Sequence, residues 1–256
     1  MVRPKGLLRD ERGSMILVFM LVFTVLVVAA GFAIDMARLY LARSELSQAA
    51  DLGSLGGVTA GKLKVKIRAK GEYFKEKLVA RPDGSTERIC VQGDTGTFTV
   101  EGYEKDLLPD GWRSAVQKQY NINVTPVRPT RRDLGYCNAW YLTFDRVTDR
   151  WVEYPEPGKA RKNGEYYALA NLQGSTLSKG DGHVSDPEVT LYGSKGSAYY
   201  PSMRVILGGG FKAPFLGAFS GSSYVTTEKC GQGARLYKNP SGGWVEKPAD
   251  ACKGAW

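Results

Sequence analysis

The chain has 256 residues, of which 43% are hydrophobic and 24% charged, and its formal net charge is +9. This composition is typical of a folded protein and excludes a largely disordered chain. The sequence holds a single histidine, His183, and no recognisable nucleophile, zinc-binding or phosphate-binding motif. We therefore predict that the protein is not an enzyme, with no catalytic residues, no metal and no cofactor.

The amino terminus combines a basic leader, residues 1–13, with an uncharged apolar run at residues 13–34. As a helix this run of 22 residues measures about 33 Å, enough to cross a hydrocarbon core of about 30 Å. We predict a transmembrane helix at residues 14–34 of the inner (cytoplasmic) membrane. The basic leader favours the cytoplasmic side, which places the C-terminal part in the periplasm or at the cell surface.

Two processing routes compete with a retained anchor. A secretory signal peptide would have a shorter apolar core and would be cleaved near Ala33. The leader also resembles those of type IV prepilins, which would be cut between Gly13 and Ser14. Val18 stands where such proteins usually carry glutamate. We favour the retained anchor and leave both alternatives open.

The helical pattern continues beyond the apolar run as an amphipathic extension at residues 35–57. Small residues repeat every fourth position at Ala29, Ala33 and Ala37, a spacing that lets another helix approach closely. A second apolar stripe follows and must be buried against the next domain or a neighbouring helix. It comprises Leu39, Ala42, Leu46, Ala49 and Ala50. Three glycines, at positions 53, 56 and 57, are predicted to end the helix.

These two segments resemble the N-terminal module of TadE/TadG-like proteins of the Tad (Flp) pilus assembly system. The matching positions are Glu11, Arg12, Gly13, Asp35, Arg38, Tyr40, Arg43, Leu46, Gln48, Ala49, Ala50, Asp51, Leu55 and Gly57. The resemblance implies a pilus-assembly or minor pilin-like structural protein that acts through helix packing and ectodomain contacts. Larger family members carry a metal site that begins D-x-S-x-S, and this sequence has no such pentapeptide. The alternative is a membrane-tethered binding or adhesion domain without a pilus role.

Residues 58–256 remain after the helix, and the first half of this domain is predicted to be rich in strands. Alternation at residues 62–70 predicts a strand with Leu63, Val65 and Ile67 facing inward and a basic outer row. A short helix is predicted at 71–79, followed by a turn at 81–85. Strands at 86–91 and 97–100 would be joined by a turn at 93–96. A helix at 110–120 and a strand at 122–127 precede a loop near 126–135 that could divide the domain.

The second half is predicted to add further strands at 137–144, 151–154 and 165–170, with turns at 148–149 and 162–164. A polar loop at 180–188 has carboxylates but lacks the spacing of a calcium-binding loop, so we predict a plain loop. A strand at 203–207, a turn at 208–210, an apolar segment at 211–219 and a last strand at 223–227 complete the chain. The fold class is therefore α+β, with a long N-terminal transmembrane and amphipathic helix followed by a β-rich extracytoplasmic domain.

Four cysteines fall after the apolar run and form no Cys-x-x-Cys pair: Cys90, Cys137, Cys230 and Cys252. In an exported domain this pattern predicts two disulfides. Three pairings are possible, and the short loop between Cys230 and Cys252 favours that pair.

The expected partners follow from the anchor, the resemblance and the charge. They are the inner membrane and other pilus components or further copies of the chain. The domain after Gly61 carries a net charge of about +8, so a polyanionic cell-surface polymer is a further possible partner. We find no nucleic-acid-binding motif and predict no nucleic acid partner.

Overall fold

A computed structural model describes residues 11–222 and 224–253. One continuous helix, α1 (Glu11–Val58), opens the fold and is 48 residues long, or about 72 Å at the rise of an α-helix. Its apolar first half and amphipathic second half form a single rod, as the sequence predicts. Residues 1–10, most of the predicted cytoplasmic leader, lie outside the described residues.

Within the described residues, eight strands and four further α-helices follow α1. In chain order they are β1 (Lys62–Ala80), β2 (Thr86–Tyr103), α2 (Glu104–Leu107), α3 (Gly111–Tyr120), β3 (Val124–Thr125), β4 (Ala139–Glu153), α4 (Pro157–Leu172), β5 (His183–Val184), β6 (Glu188–Tyr192), β7 (Ser202–Lys212), α5 (Pro214–Ser220) and β8 (Tyr224–Ala234). The predicted α+β fold with a β-rich domain is confirmed.

The first sheet has the order β2-β1-β4-β3, antiparallel except for the short parallel pair β3 and β4. Alternate residues of β1, Val65, Ile67 and Ala69, are fully buried beneath α2 and α3, as the period-two pattern predicts. Trp112 and Val116 of α3 close this core. The loop at 126–135, predicted as a subdivision, lies within the segment that builds this sheet.

The second sheet is centred on β7, which pairs with β5 and β6 along one edge and with β8 along the other, all antiparallel. Its core also includes the second half of α1 and the buried face of α4. The predicted helical extension and the second half of the predicted ectodomain therefore share one hydrophobic core.

Both disulfides form within the described residues. Cys90 pairs with Cys137 and Cys230 with Cys252, each with a Cα–Cα distance of 5.7 Å. The favoured pairing is confirmed. The second bridge fastens the C-terminal segment to β8, and the first fastens the segment before β4 to β2.

Several predictions of turns and one of a helix are wrong because the residues concerned lie inside strands. The predicted helix at 71–79 is the second half of β1, where Gly71 makes room for the rings of Phe98 and Trp140. The predicted turn at 93–96 is likewise part of β2, and Gly96 lies beneath the ring of Trp140. Both glycines serve the packing of aromatic side chains across the sheet.

The predicted turn at 148–149 is instead a bulge in β4. Lys66 of β1 pairs with Asp149 and Ile67 pairs with Val147, which leaves Thr148 as the extra residue. The strand therefore continues through a sequence that signals a turn. The predicted strand at 122–127 is also wrong in extent, since only Val124–Thr125 pairs with β4.

The predicted strand at 165–170 and turn at 162–164 are wrong, since both lie in helix α4. Its buried residues, Ala160, Gly164, Ala168 and Leu172, recur every fourth position, which is a helical period.

The predicted turn at 208–210 is part of β7, where Gly209 and Gly210 allow close contact with Leu177 and His183. The apolar segment at 211–219 contains the end of β7 and most of α5.

Candidate functional site

The first half of α1 projects from the domain as an exposed apolar rod. Its large side chains from Met15 to Val28 are exposed, as is Ile34, and the segment has a mean hydropathy of 2.9. By length and composition it can cross a membrane. The exposure of so many apolar side chains is what a lipid-facing segment requires, since water would disfavour it.

The second half of α1 is an element of the domain core. Ala42, Leu46, Ala49 and Ala50 are at most 1% exposed, and they pack among residues of α4, β7 and β8. Leu39 is half-buried at the edge of the same cluster. The apolar stripe predicted from the sequence therefore packs against the protein's own domain.

Glycines let the backbones around α1 approach closely. A Cβ at Gly53 would lie 2.8 Å from the carbonyl oxygen of Gly164 in α4. On the other side, a Cβ at Gly231 of β8 would lie 2.3 Å from the carbonyl carbon of Ala50. The helix ends at Val58, one residue beyond the predicted end at Gly57, while Gly53 and Gly56 lie within it. These glycines provide contact surfaces for neighbouring elements.

Asp35, a family-motif position, holds α5 against α1. Its Oδ2 accepts hydrogen bonds from the backbone N–H groups of Phe215 at 2.8 Å and Leu216 at 3.0 Å. The residue is only 2% exposed. One turn earlier, Gly31 is buried beneath the Phe215 ring. The aspartate thus satisfies two N–H groups of the first turn of α5, which have no acceptor within their own helix.

Glu45, further along α1, likewise accepts hydrogen bonds from another segment of the domain. Its carboxylate accepts from the backbone N–H of Thr176 at 3.0 and 3.1 Å, and from the Thr176 hydroxyl at 3.0 Å. These bonds fasten the short turn Thr176–Ser178 to the helix. Two carboxylates on one side of α1 therefore anchor two separate segments of the domain.

The opposite side of α1 has no covering element among the described residues. Helical residues are separated by about 100°, which places Ala33, Ala37, Tyr40, Ser44 and Leu55 roughly opposite Asp35. We call this the outer face. Tyr40 is 75% exposed and Leu55 is 49% exposed, while Ala29, Ala33 and Ala37 are also exposed. The predicted small-residue stripe thus faces away from the domain.

The remaining family-motif positions are dispersed around the helix. Arg38 and Gln48 are exposed, and the Gln48 amide lies 3.5 Å from the Ser44 hydroxyl. Partial burial raises the pKa of the Asp51 carboxyl above its ordinary value. Glu11, Arg12, Gly13 and the candidate cleavage position Ser14 lie in α1, but their side chains are outside the described part.

The basic row of β1 carries paired charges. Lys64 pairs with Glu153 at 2.9 Å, Lys66 pairs with Glu101 at 2.7 Å, and Arg68 and Lys70 share Asp145. The strand is an inner strand of its sheet, so the predicted basic row lies on a face of the sheet and not along its edge. Cross-strand ion pairs neutralise much of the row, and such exposed pairs contribute little to stability.

The described residues contain no group of three or more His, Cys, Asp or Glu side chains placed to hold a metal ion. In the polar loop, Asp181 lies 3.7 Å from Lys212, and Glu188 pairs with Arg204 at 3.0 Å. The imidazole of His183 packs edge-on against Tyr224. These side chains serve ion pairing and packing.

Comparison with known families assigns the N-terminal segment. A family model of Flp pilus-assembly TadE/G-like proteins matches residues 13–60. Helix α1 is therefore similar to the module of this TadE/G-like family. The match ends immediately before β1, and it includes Asp35, Glu45 and the glycines that pack against α4. No curated protein and no solved structure matches the chain.

The structure adds to the TadE/G-like module a role that the sequence pattern alone did not predict. Its aspartate fastens α5, and its C-terminal glycines receive α4 and the Met203 side chain of β7. Together, the match and the apolar helix support a membrane-anchored protein associated with pilus assembly.

Proposed function

We propose that the protein is a single-pass structural component of Tad pilus assembly, with its N terminus in the cytoplasm and its two-sheet domain outside. It acts without catalysis, by presenting the outer face of α1 and the domain surface to other pilus components or to further copies of itself. The observation that carries this proposal is the division of α1 into one face occupied by its own domain and one face left exposed.

The outer face can receive a partner helix both within the membrane span and along the part of α1 beyond it. Ala29, Ala33 and Ala37 allow close approach of a second helix within the span and just beyond it. Tyr40 and Leu55 continue the same face along the domain with exposed aromatic and aliphatic surface. A partner helix that follows α1 would therefore find one continuous surface.

The test is substitution of the small residues of this face. Ala33→Leu combined with Ala37→Leu adds bulk where a partner backbone would approach. We expect pilus assembly, or co-purification with pilus components, to fall several-fold. Val27→Leu is the control, because it adds a methylene to an exposed position on a different side of the same span.

Unchanged assembly in the double variant, with normal membrane levels of the protein, would contradict the proposal. It would favour the alternative of a tethered binding or adhesion domain without a pilus role. Intact-mass measurement of the mature protein tests cleavage between Gly13 and Ser14 separately, since a retained anchor keeps the leader.

A further inference from the structure

Helix α5 lies at the level where α1 leaves the apolar span. Its Phe215 ring covers Gly31, and its first N–H groups bind Asp35. Gly31 precedes Ile34, the last residue of the predicted span, by three positions, or about 4.5 Å along the helix axis. An ectodomain side chain therefore packs against the part of α1 that the membrane surrounds.

The composition and bonding of α5 suit an apolar environment. Its sequence, PFLGAFS, contains no charged residue. Pro214 and Ala218 are exposed, and Phe215 and Leu216 retain partly exposed surface. Asp35 satisfies two of its N–H groups, and Gly217 donates to the Ala213 carbonyl at 2.7 Å. A segment in contact with lipid must have its backbone N–H and C=O groups hydrogen-bonded within the protein, because lipid chains offer no hydrogen-bond partners.

A cavity of about 500 Å³ opens at the end of β7, just before the chain enters α5, and is lined there by Phe211 and Lys212. Three cationic side chains line it: Arg38, Lys179 and Lys212. Of its two carboxylates, Glu45 is engaged by Thr176, and Asp181 lies 3.7 Å from Lys212. Arg38 and Lys179 have no ion-pair partner among the described residues, and the three cations of the lining exceed its two carboxylates by one positive charge.

The depth of this cavity relative to the membrane follows from the position of Arg38 on α1. Arg38 is four residues beyond Ile34, about 6 Å along the axis. Lipid phosphates lie in the headgroup layer that borders the hydrocarbon core. The cations are thus at the depth of phosphate groups, while the apolar surface of α5 is at the depth of the outermost acyl carbons.

We propose that α5 and this cavity form a lipid-binding rim on the extracytoplasmic leaflet. Phe215, Leu216 and Ala218 insert at the boundary of the hydrocarbon core. Arg38, Lys179 and Lys212 bind the phosphate of an anionic phospholipid headgroup. The inference requires that α1 spans the membrane, but it does not require a role in pilus assembly.

Insertion of α5 is tested by tryptophan quenching in the full-length chain. Nanodiscs are prepared from phosphatidylcholine that is brominated near the headgroup end of its acyl chains, mixed with phosphatidylglycerol. We expect Phe215→Trp to be quenched clearly more than the wild-type background, which comes from tryptophans that all lie beyond residue 111. Ala218→Trp provides a second reporter if the first variant fails to fold.

The matched control is Tyr166→Trp on the exposed side of α4, where Tyr166 is 67% exposed. It lies alongside the far end of α1 and should be quenched no more than the background. If both α5 reporters are quenched only as much as Tyr166→Trp, α5 stays above the lipid and the insertion is contradicted.

Headgroup binding is tested by native mass spectrometry of the full chain released from nanodiscs that contain equal parts phosphatidylglycerol and phosphatidylcholine. We expect phosphatidylglycerol to be retained preferentially. The combined substitution Arg38→Gln, Lys179→Gln and Lys212→Gln should lower its retention several-fold. The control substitutes Lys75, Lys77 and Lys118 with glutamine, three exposed lysines of the first sheet and α3.

Two results would overturn the headgroup assignment. One is equal retention of phosphatidylglycerol in the wild type and the triple variant. The other is displacement of the retained lipid by millimolar inorganic phosphate, which would indicate a site for free phosphate rather than for a lipid. Retention that resists phosphate and depends on the three cations supports the rim.

Discussion

At the scale of single residues, the most consequential positions are those where α1 touches the domain. Asp35 holds α5 by accepting two N–H bonds, and Gly31 gives the Phe215 ring its place. Gly231 brings a strand backbone against a helix backbone. None of these residues contributes a large apolar side chain, yet each fixes the distance between two elements.

Replacing Asp35 by alanine should detach α5 without unfolding the protein. Two buried N–H groups would lose their acceptor, a local cost of about 1–3 kcal/mol per group. We expect faster hydrogen exchange at the amides of Phe215 and Leu216 and unchanged exchange in β1 and β2. Asp35→Asn keeps one carbonyl acceptor and should show a smaller increase. Uniform protection of α5 in Asp35→Ala would contradict the role given to the carboxylate.

Gly231→Ala should destabilise the whole domain. Its Cβ would lie 2.3 Å from the carbonyl carbon of Ala50, and backbone atoms cannot rotate away as a side chain can. Overpacking of this kind costs about 1–3 kcal/mol. Chemical denaturation in detergent measures the loss.

Gly158→Ala is the matched control for that substitution. Gly158 lies in the first turn of α4 with nothing within 4 Å of its Cβ position. Because alanine favours a helix over glycine by about 1 kcal/mol, this variant should be neutral or slightly more stable. Equal destabilisation of both variants would show that close approach of β8 and α1 is not the cause.

At the scale of elements, the sequence predicts well wherever one face alone is buried. The alternation in β1, the periodicity of α1 and the helix α3 follow from such patterns. The stripe Leu46, Ala49 and Ala50 was predicted to be buried, and its cover proved to be the protein's own domain.

Prediction fails where glycine serves packing between elements. Isolated glycines are ambiguous, because the same residue permits a turn, a close helix contact or space for a ring. The glycines at 53 and 164 permit a close helix contact, and those at 71 and 96 leave space for aromatic rings. For α4, the spacing of Ala160, Gly164 and Ala168 was an available helical signal, obscured by a lysine–asparagine–glycine sequence typical of turns. The contact of Asp35 with α5 spans 180 residues and has no local signature.

The bridge between Cys230 and Cys252 stabilises one element, the C-terminal segment beside β8. Closing a loop with a sequence separation of 22 contributes about 3 kcal/mol in the chain-entropy account. Replacing both cysteines by alanine should lower the free energy of unfolding by roughly that amount and should increase proteolysis near Ala251. The corresponding Cys90 and Cys137 double variant is the control, and it should leave cleavage near Ala251 unchanged. An intact C-terminal segment in the first variant would contradict this role.

At the scale of the whole molecule, polar contacts join the two sheets in addition to the apolar packing of Leu63 and Val152 against the core of the second sheet. The Tyr200 hydroxyl donates to the Val152 carbonyl at 2.7 Å and accepts from the Val152 N–H at 2.6 Å. Arg150 pairs with Glu104 at 3.0 Å and donates to the Lys238 carbonyl at 3.1 Å. The relative position of the sheets therefore depends on a junction near the end of β4.

This junction should make stability fall at alkaline pH. Burial raises the pKa of Tyr154 to about 12 and raises the pKa of Tyr200 as well, against an ordinary value of about 10. Because the unfolded chain loses these protons first, stability is complete below about pH 10 and declines as the pH rises toward the folded pKa. Denaturation midpoints measured across this range should show the decline.

Tyr154→Phe should flatten that decline, since the Tyr154 hydroxyl has no hydrogen-bond partner among the described residues and its removal breaks no bond. Tyr166→Phe, at an exposed position, should leave the slope unchanged. Identical slopes for the wild type and Tyr154→Phe would indicate that other groups govern the alkaline transition.

The continuity of α1 has a mechanical consequence. Between the span and the domain core there is no linker, because the same helix runs through both from Glu11 to Val58. The close backbone contacts of α1 with α4 at Gly53 and with β8 at Gly231 couple the second sheet and its helix directly to α1. Tilting or withdrawing that helix must therefore move the domain core with it.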